Sequence, residues 1–217
     1  SGVFTFALSK KSAQVLAIES DRETFKKLQN NTKNLENVEI LCADFLNFNL
    51  SKLPKNYKVV ANVPYYITSK IIQNLLMANN KPSKIVILIQ KEVAERICAK
   101  PGDKKAGAIT YFVNYYADAE IVANVSKDSF IPAPEVESSI VRMKKLPDPR
   151  IKVKNEELLF KLIKENFTKR RKTITNSLSQ SIPKNKLLEI LSELGFPEST
   201  RGEELSLEIF AKIADLC

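Results

Sequence analysis

The sequence predicts an α/β protein, a mostly parallel, doubly wound sheet with an antiparallel edge, followed by a small all-helical region. Three observations carry this. Short apolar runs alternate with helical patterns of roughly 10 to 15 residues as far as Ile89. Two further strand patterns flank a proline-bearing segment before residue 146. Beyond residue 151 the strand signals vanish and only helical periodicity remains.

Taken in order, Val15 to Ile18 is a strand pattern ending in Glu19, and Asp21 is placed to cap a helix carrying Phe25, Leu28 and Leu35. Val38 to Cys42 reads as the next strand and closes with Ala43-Asp44. Lys58 to Ala61 reads as the third and closes with Asn62-Val63-Pro64-Tyr65. A helical pattern from about Ser69 to Met77 follows. Ile85 to Ile89 is the most apolar run of the chain, so it needs cover on both faces and reads as a central strand.

The polar stretch Lys100 to Lys105 precedes a helical pattern around Tyr111 to Tyr116. Strands near Glu120 to Val125 and Ser138 to Met143 can then form an antiparallel hairpin. Between them Pro132 and Pro134 predict a rigid extended loop behind Phe130. Leu146-Pro147-Asp148-Pro149 reads as a linker. After it come apolar residues at helical spacing: Leu158 to Phe167, Leu187 to Leu194 and Leu207 to Leu216.

Composition narrows the chemistry. The 217 residues include no histidine, which excludes Ser-His and Cys-His nucleophilic catalysis. Cys42, Cys98 and Cys217 are odd in number and widely spaced, so neither a disulfide framework nor a zinc site is indicated, and no metal is expected. No apolar run approaches the roughly 18 residues of a membrane span, and the start lacks the order of a signal peptide. A cytoplasmic protein is expected. Thirty-four Lys and Arg against 25 Asp and Glu leave a formal charge of +9, which suits a polyanionic partner as well as a merely soluble surface. Five cations in the nine residues Lys164 to Lys172 favour phosphate contacts, with Lys169, Arg170, Arg171 and Lys172 the RNA-binding candidates; a solvated helix face is the plainer alternative.

Glu19, 17 residues after Gly2, is an acidic residue at a strand end beyond a glycine turn, the arrangement that binds the ribose of an adenosine-containing cofactor. Nicotinamide enzymes use the same device, and strands also end in carboxylates for capping alone. Asp44 at the next strand end strengthens both readings. Asn62-Val63-Pro64-Tyr65 suits methylation of an exocyclic adenine nitrogen. That nitrogen's lone pair is delocalised into the ring, so a site must accept hydrogen bonds from its amino hydrogens. The Asn62 side-chain oxygen and the Val63 carbonyl supply two acceptors, Pro64 holds that backbone, and Tyr65 and Phe130 can stack on a base turned out of its strand. A strand-terminating turn with a core tyrosine would read the same way locally.

Several segments together resemble the KsgA-type ribosomal RNA adenine-N6 dimethyltransferases. They are Ala17-Ile18-Glu19-Ser20-Asp21, Cys42-Ala43-Asp44-Phe45, Asn62-Val63-Pro64-Tyr65-Tyr66-Ile67-Thr68-Ser69, and Phe130 through Ser138. Gln90 through Arg96 and Lys100-Pro101-Gly102 are similar to the same family. Erythromycin-resistance methyltransferases share the core, but Phe167 through Thr173 and Arg201 through Ser206 resemble the small-subunit enzymes.

The resemblance implies a Rossmann-like S-adenosylmethionine methyltransferase domain over 1–146 and a helical RNA-binding domain over 151–217. It implies a monomer acting on the 30S subunit or its precursor, converting two adjacent adenines near the 3′ end of 16S ribosomal RNA to N6,N6-dimethyladenosine and releasing S-adenosylhomocysteine. It assigns Gly2 and Glu19 to the cofactor, Glu19 at the ribose, and Asp44 to the cofactor adenine. Asn62 goes to the target amino group beside the cofactor, and Tyr65 and Phe130 to the target ring. Val63 stands where the family more often has leucine, which matters little for a backbone role.

Gly2-Val3-Phe4-Thr5 aligns with the tail of the family's glycine-rich loop. The 217 residues are therefore expected to lack the first strand and to bind S-adenosylmethionine poorly or not at all. Two other readings stand beside this one. A ribosome assembly factor on the same fold differs from the enzyme only in methyl transfer. A nicotinamide dehydrogenase would use Glu19 but leaves Asn62 to Tyr65 unexplained.

Overall fold

A computed structural model describes residues 2–130 and 133–217. The chain forms two compact units, Ser1–Pro82 and Ser83–Cys217.

In the first unit, helix α1 (Val3–Ser9) precedes strand β1 (Val15–Glu19), helix α2 (Arg22–Thr32), strand β2 (Val38–Cys42), strand β3 (Lys58–Asn62) and helix α3 (Thr68–Met77). Strands β1 and β2 are parallel, in register from Val15 opposite Val38 to Glu19 opposite Cys42, with α2 as their crossover. Helix α2 begins where the sequence predicts. The Asp21 carboxylate accepts from the Thr24 N–H at 2.7 Å, and that bond holds its pKa below the ordinary value. Loops are tied by amides. The Asn37 side chain donates to the Ser9 and Ser12 carbonyls, and Asn80 donates to those of Leu50 and Leu53. The core here is small. Ile71, Ile72, Leu75 and Leu76 form the buried stripe of α3 and Leu28 is the buried aliphatic side chain of α2, whereas no residue of β1, β2 or β3 is fully buried. Burying each such aliphatic side chain contributes about 1.5–3 kcal/mol.

The second unit begins with strand β4 (Lys84–Gln90), helix α4 (Lys91–Cys98), helix α5 (Ala108–Tyr116), strand β5 (Ala117–Val125) and strand β6 (Ser138–Lys145). Strand β6 pairs antiparallel with β4, Gln90 opposite Ser138, and with β5, where a bulge falls between Ile121 and Ala123. The antiparallel hairpin expected from the sequence is this β5–β6 pair. Ile87, Leu88 and Ile89 are buried in succession, so β4 is covered on both faces near its end.

Only helices follow: α6 (Glu156–Thr168), α7 (Ile174–Ser177), α8 (Lys184–Glu193) and α9 (Leu207–Leu216). Helix α6 starts at Asn155, whose carboxamide oxygen accepts from the Leu158 N–H at 2.9 Å. It packs on α5 through an aromatic cluster. The Phe160 ring lies 5.0 Å from Phe112 and 5.2 Å from Tyr115, and the Tyr115 and Tyr116 hydroxyls both donate to Glu156.

Helices α1 and α4 carry no clear helical signature in the sequence. The start of α4 has no side-chain cap; it is fixed by the Lys91 N–H donating to the Glu137 carbonyl at 3.0 Å, a contact distant in sequence. The rigid loop expected behind Phe130 falls partly on Ile131 and Pro132, which lie outside the described residues. Among the described residues no helix is long and apolar enough to cross a membrane, and all three cysteines are free thiols.

Candidate active site

Because β1 and β2 run parallel, their carboxyl ends fall together. The Ala43 N–H donates to the Glu19 carbonyl at 3.0 Å, so the pairing continues to the residue before Asp44. Glu19 and Asp44 therefore leave adjacent strands at the same end. Glu19 Oε1 accepts from the Asp21 N–H at 3.0 Å, and Oε2 has no partner among the described residues. Asp44 opens a single 3-10 turn: Oδ1 accepts from the Leu46 N–H at 2.9 Å and Oδ2 from the Asn47 amide at 2.9 Å. The Asn74 amide of α3 reaches the Leu46 carbonyl at 3.3 Å, tying this turn to the helix that follows Asn62.

Gly2 sits at the start of α1 with φ 93°. A Cβ there would come within 2.8 Å of Leu28 Cδ1, so both backbone conformation and close approach to α2 require glycine.

Asn62 is the last residue of β3 and is exposed. Among the described residues nothing hydrogen-bonds its carboxamide, and no backbone donor occupies the Val63 carbonyl. Pro64 holds the turn at φ −56° and ψ 136°, while its own carbonyl accepts from the Ile67 N–H at 3.2 Å and from the buried Thr68 hydroxyl at 3.4 Å. Two acceptors are thus left open on a backbone held by its neighbours. The sequence did not single out Thr68 or Asn74, because a Thr or an Asn in a helix carries no mark of what it reaches. Tyr65 opens a single 3-10 turn; its side chain lies outside the described residues, and its neighbour Tyr66 is 85% exposed.

Phe130 belongs to the second unit and is half-buried. It ends a single 3-10 turn that Ser126 caps by accepting from the Asp128 N–H at 3.3 Å. Just beyond this segment, Glu137 is bound to Lys91 by the backbone bond already described and by an ion pair of 2.6 Å. Of the predicted RNA-contacting cations, Arg171 and Lys172 are exposed and Lys169 is half-buried, its Nζ 3.4 Å from the Ser177 carbonyl. Arg170 is paired with Glu203 and also donates to the Lys104 carbonyl. Among the described residues no group of three or more metal-ligating side chains comes together.

The family model for ribosomal RNA adenine dimethylase matches residues 1–217, the whole chain. The chain belongs to that family. Among relatives of this adenine dimethylase is the ribosomal RNA small subunit methyltransferase A of Lachnoclostridium phytofermentans, 42% identical over 99% of this chain and 78% of the relative. The protein of the same name from Streptococcus pneumoniae is 38% identical over 99% of this chain and 78% of its own length. A crystal structure of a dimethyladenosine transferase from Plasmodium falciparum superposes with TM-score 0.79 at 25% identity, covering 98% of this chain and 84% of that one. The crystal structure of the 23S rRNA methyltransferase ErmE, at TM-score 0.73 and 24% identity over 99% of this chain and 86% of that one, shares the fold.

Proposed function

We propose that this adenine dimethylase transfers methyl groups from S-adenosylmethionine to N6 of two adjacent adenines near the 3′ end of small-subunit ribosomal RNA, giving N6,N6-dimethyladenosine. The observation that carries the reading is the pair of open acceptors, Asn62 Oδ1 and the Val63 carbonyl, at a strand end of a chain whose whole length matches the family. The names of the relatives support the small subunit as the source of the RNA.

The donor set fits the cofactor. Glu19 keeps one carboxylate oxygen for the two hydroxyl donors of a ribose, and Asp44 retains lone pairs for an adenine amino group. Gly2 keeps the space against Leu28 free of a side chain. When bound, S-adenosylmethionine supplies an electrophilic methyl group and leaves as S-adenosylhomocysteine. The protein's task is to make N6 nucleophilic. Hydrogen bonds from N6 to Asn62 Oδ1 and the Val63 carbonyl pull the nitrogen toward a tetrahedral shape, localise its lone pair and spread the positive charge that develops on it. Once alkylated, the nitrogen is acidic enough to lose its proton to solvent. A protein without histidine can therefore run the reaction.

In this reading Tyr65 stacks on the flipped base, and the helices after Pro149 bring Arg171 and Lys172 to the RNA backbone. The test is Asn62→Ala under single turnover. Loss of one acceptor is expected to lower the methyl-transfer rate by on the order of 10²–10³ with RNA affinity unchanged. A variant that loses affinity and keeps its rate would move Asn62 out of the chemistry.

A further inference from the structure

Two cation-bearing segments of the second unit meet at the hydroxyl of Tyr111, a fully buried residue, and a third follows the helix end that packs on its ring. It accepts from the Gly102 N–H at 3.0 Å and donates to the Leu205 carbonyl at 2.6 Å, while the Tyr111 ring lies 5.3 Å from Phe167 at the end of α6. The loop with Lys100 and Lys104, the segment with Arg171 and Lys172, and the turn after Arg201 are thereby held at one place.

Arg170 closes the arrangement. Its Nε pairs with Glu203 and its Nη2 donates to the Lys104 carbonyl, so one guanidinium spans two segments other than its own. That geometry spends the fork that would otherwise grip a phosphate, and Glu203 offsets its charge. The cations around it are differently placed. Lys100, Lys104, Arg171, Lys172 and Arg201 are exposed, and none has an ion-pair partner among the described residues. The carboxylates of these segments are turned to local donors: Asp103 accepts from the Lys100 N–H at 2.9 Å and Glu204 from the Arg201 N–H at 3.4 Å. No large exposed apolar side chain lies in these segments, so nothing offers the anchor a lipid surface would need.

We propose that Arg170 is a latch rather than a phosphate contact. By holding the 100–105 loop on the end of α6, it joins Lys100 and Lys104 to Arg171 and Lys172 in one surface that binds the phosphate backbone of RNA. The proposal rests on the RNA-methylating function above, and adds to it a second loop and a positioning residue.

The experiment measures binding to undermethylated small-subunit ribosomal RNA across a salt series, together with amide hydrogen exchange of the RNA-free protein. Replacing both Lys100 and Lys104 by alanine changes only exposed side chains, and is expected to lower the slope of log K against log salt by about 1.4–1.8, at 0.7–0.9 per phosphate contact. Arg170→Lys keeps the charge but not the two-armed fork. The latch predicts faster exchange over residues 100–105 and a slope reduced like that of the lysine pair. A phosphate-contacting Arg170 predicts wild-type exchange and a wild-type slope in Arg170→Lys, and that result overturns the latch. An unchanged slope in the lysine pair, with the wild type binding RNA normally, overturns the joined surface and leaves the proposed function standing. A wild type that shows no salt-dependent binding to the RNA overturns both.

Discussion

Asn166 and Gly202 share a space that admits only one side chain. Asn166 is 1% exposed, and its Oδ1 accepts from the Ser177 hydroxyl at 2.8 Å. A Cβ on Gly202 would land on that carboxamide. Gly202→Ala must therefore displace a buried polar group, and is expected to lose about 1–3 kcal/mol, read as a lower urea midpoint with unchanged m. Tyr111→Phe removes the shared partner of the Gly102 N–H and the Leu205 carbonyl, and is expected to cost about 1–3 kcal/mol by the same measurement. Burial pushes the Tyr111 phenol up to about 12, so its donor proton stays in place across the neutral range. Neither role was legible in the sequence. Tyr111 shows there only as a helix-face apolar residue, and the glycine of Arg201-Gly202-Glu203 gives no hint of the asparagine 36 positions earlier.

At the scale of elements, the join between α4 and β6 rests on charge as well as backbone. The Lys91 ammonium holds the Glu137 carboxyl below its ordinary 4.5, and Glu137 in turn raises Lys91 above its ordinary 10.5. A carboxylate with a lowered folded pKa adds stability that is complete above 4.5 and is lost as pH falls through the lowered value. An ammonium with a raised one adds stability that is complete below 10.5 and is lost as pH rises through the raised value. The join is accordingly expected to hold at full strength between those limits and to loosen on acidification. Lower protection of the Lys91, Glu137 and Ser138 amides at low pH, with each exchange rate taken relative to the intrinsic rate at that pH, would show this, and Lys91→Met should remove the pH dependence of that protection. Helix α2, whose start is marked locally by Asp21, and α6, marked by its apolar spacing from Leu158 to Phe167, were readable from the sequence. Helix α4 was not, because its first residue is fixed by Glu137, 46 positions away.

Across the whole molecule, burial is uneven. Strands β1, β2 and β3 have no fully buried residue, whereas β4 alone has Ile85, Ile87, Leu88 and Ile89. Native-state exchange should therefore release the amides of β1 and β2 well before those of β4 and β6. Equal protection would mean that the first unit is more securely packed than its burial indicates. The order of strands and helices was legible because period and punctuation are local properties, and the strand-end residues Glu19, Asp44 and Asn62 followed from that order. The division at Pro82–Ser83 was not, since it falls inside a regular alternation of strand and helix with no change of composition.

The role proposed for Asn62 is to serve methylation of adenine N6. Its most direct test is methyl transfer from labelled S-adenosylmethionine to undermethylated small ribosomal subunits, with the product nucleosides resolved by mass spectrometry. The protein is assayed beside its Asn62→Ala variant. N6,N6-dimethyladenosine is expected from the parent protein, with loss of that product in the variant. A folded parent that binds the subunits and yields no methylated adenosine, or a variant that methylates as fast as the parent, would contradict it.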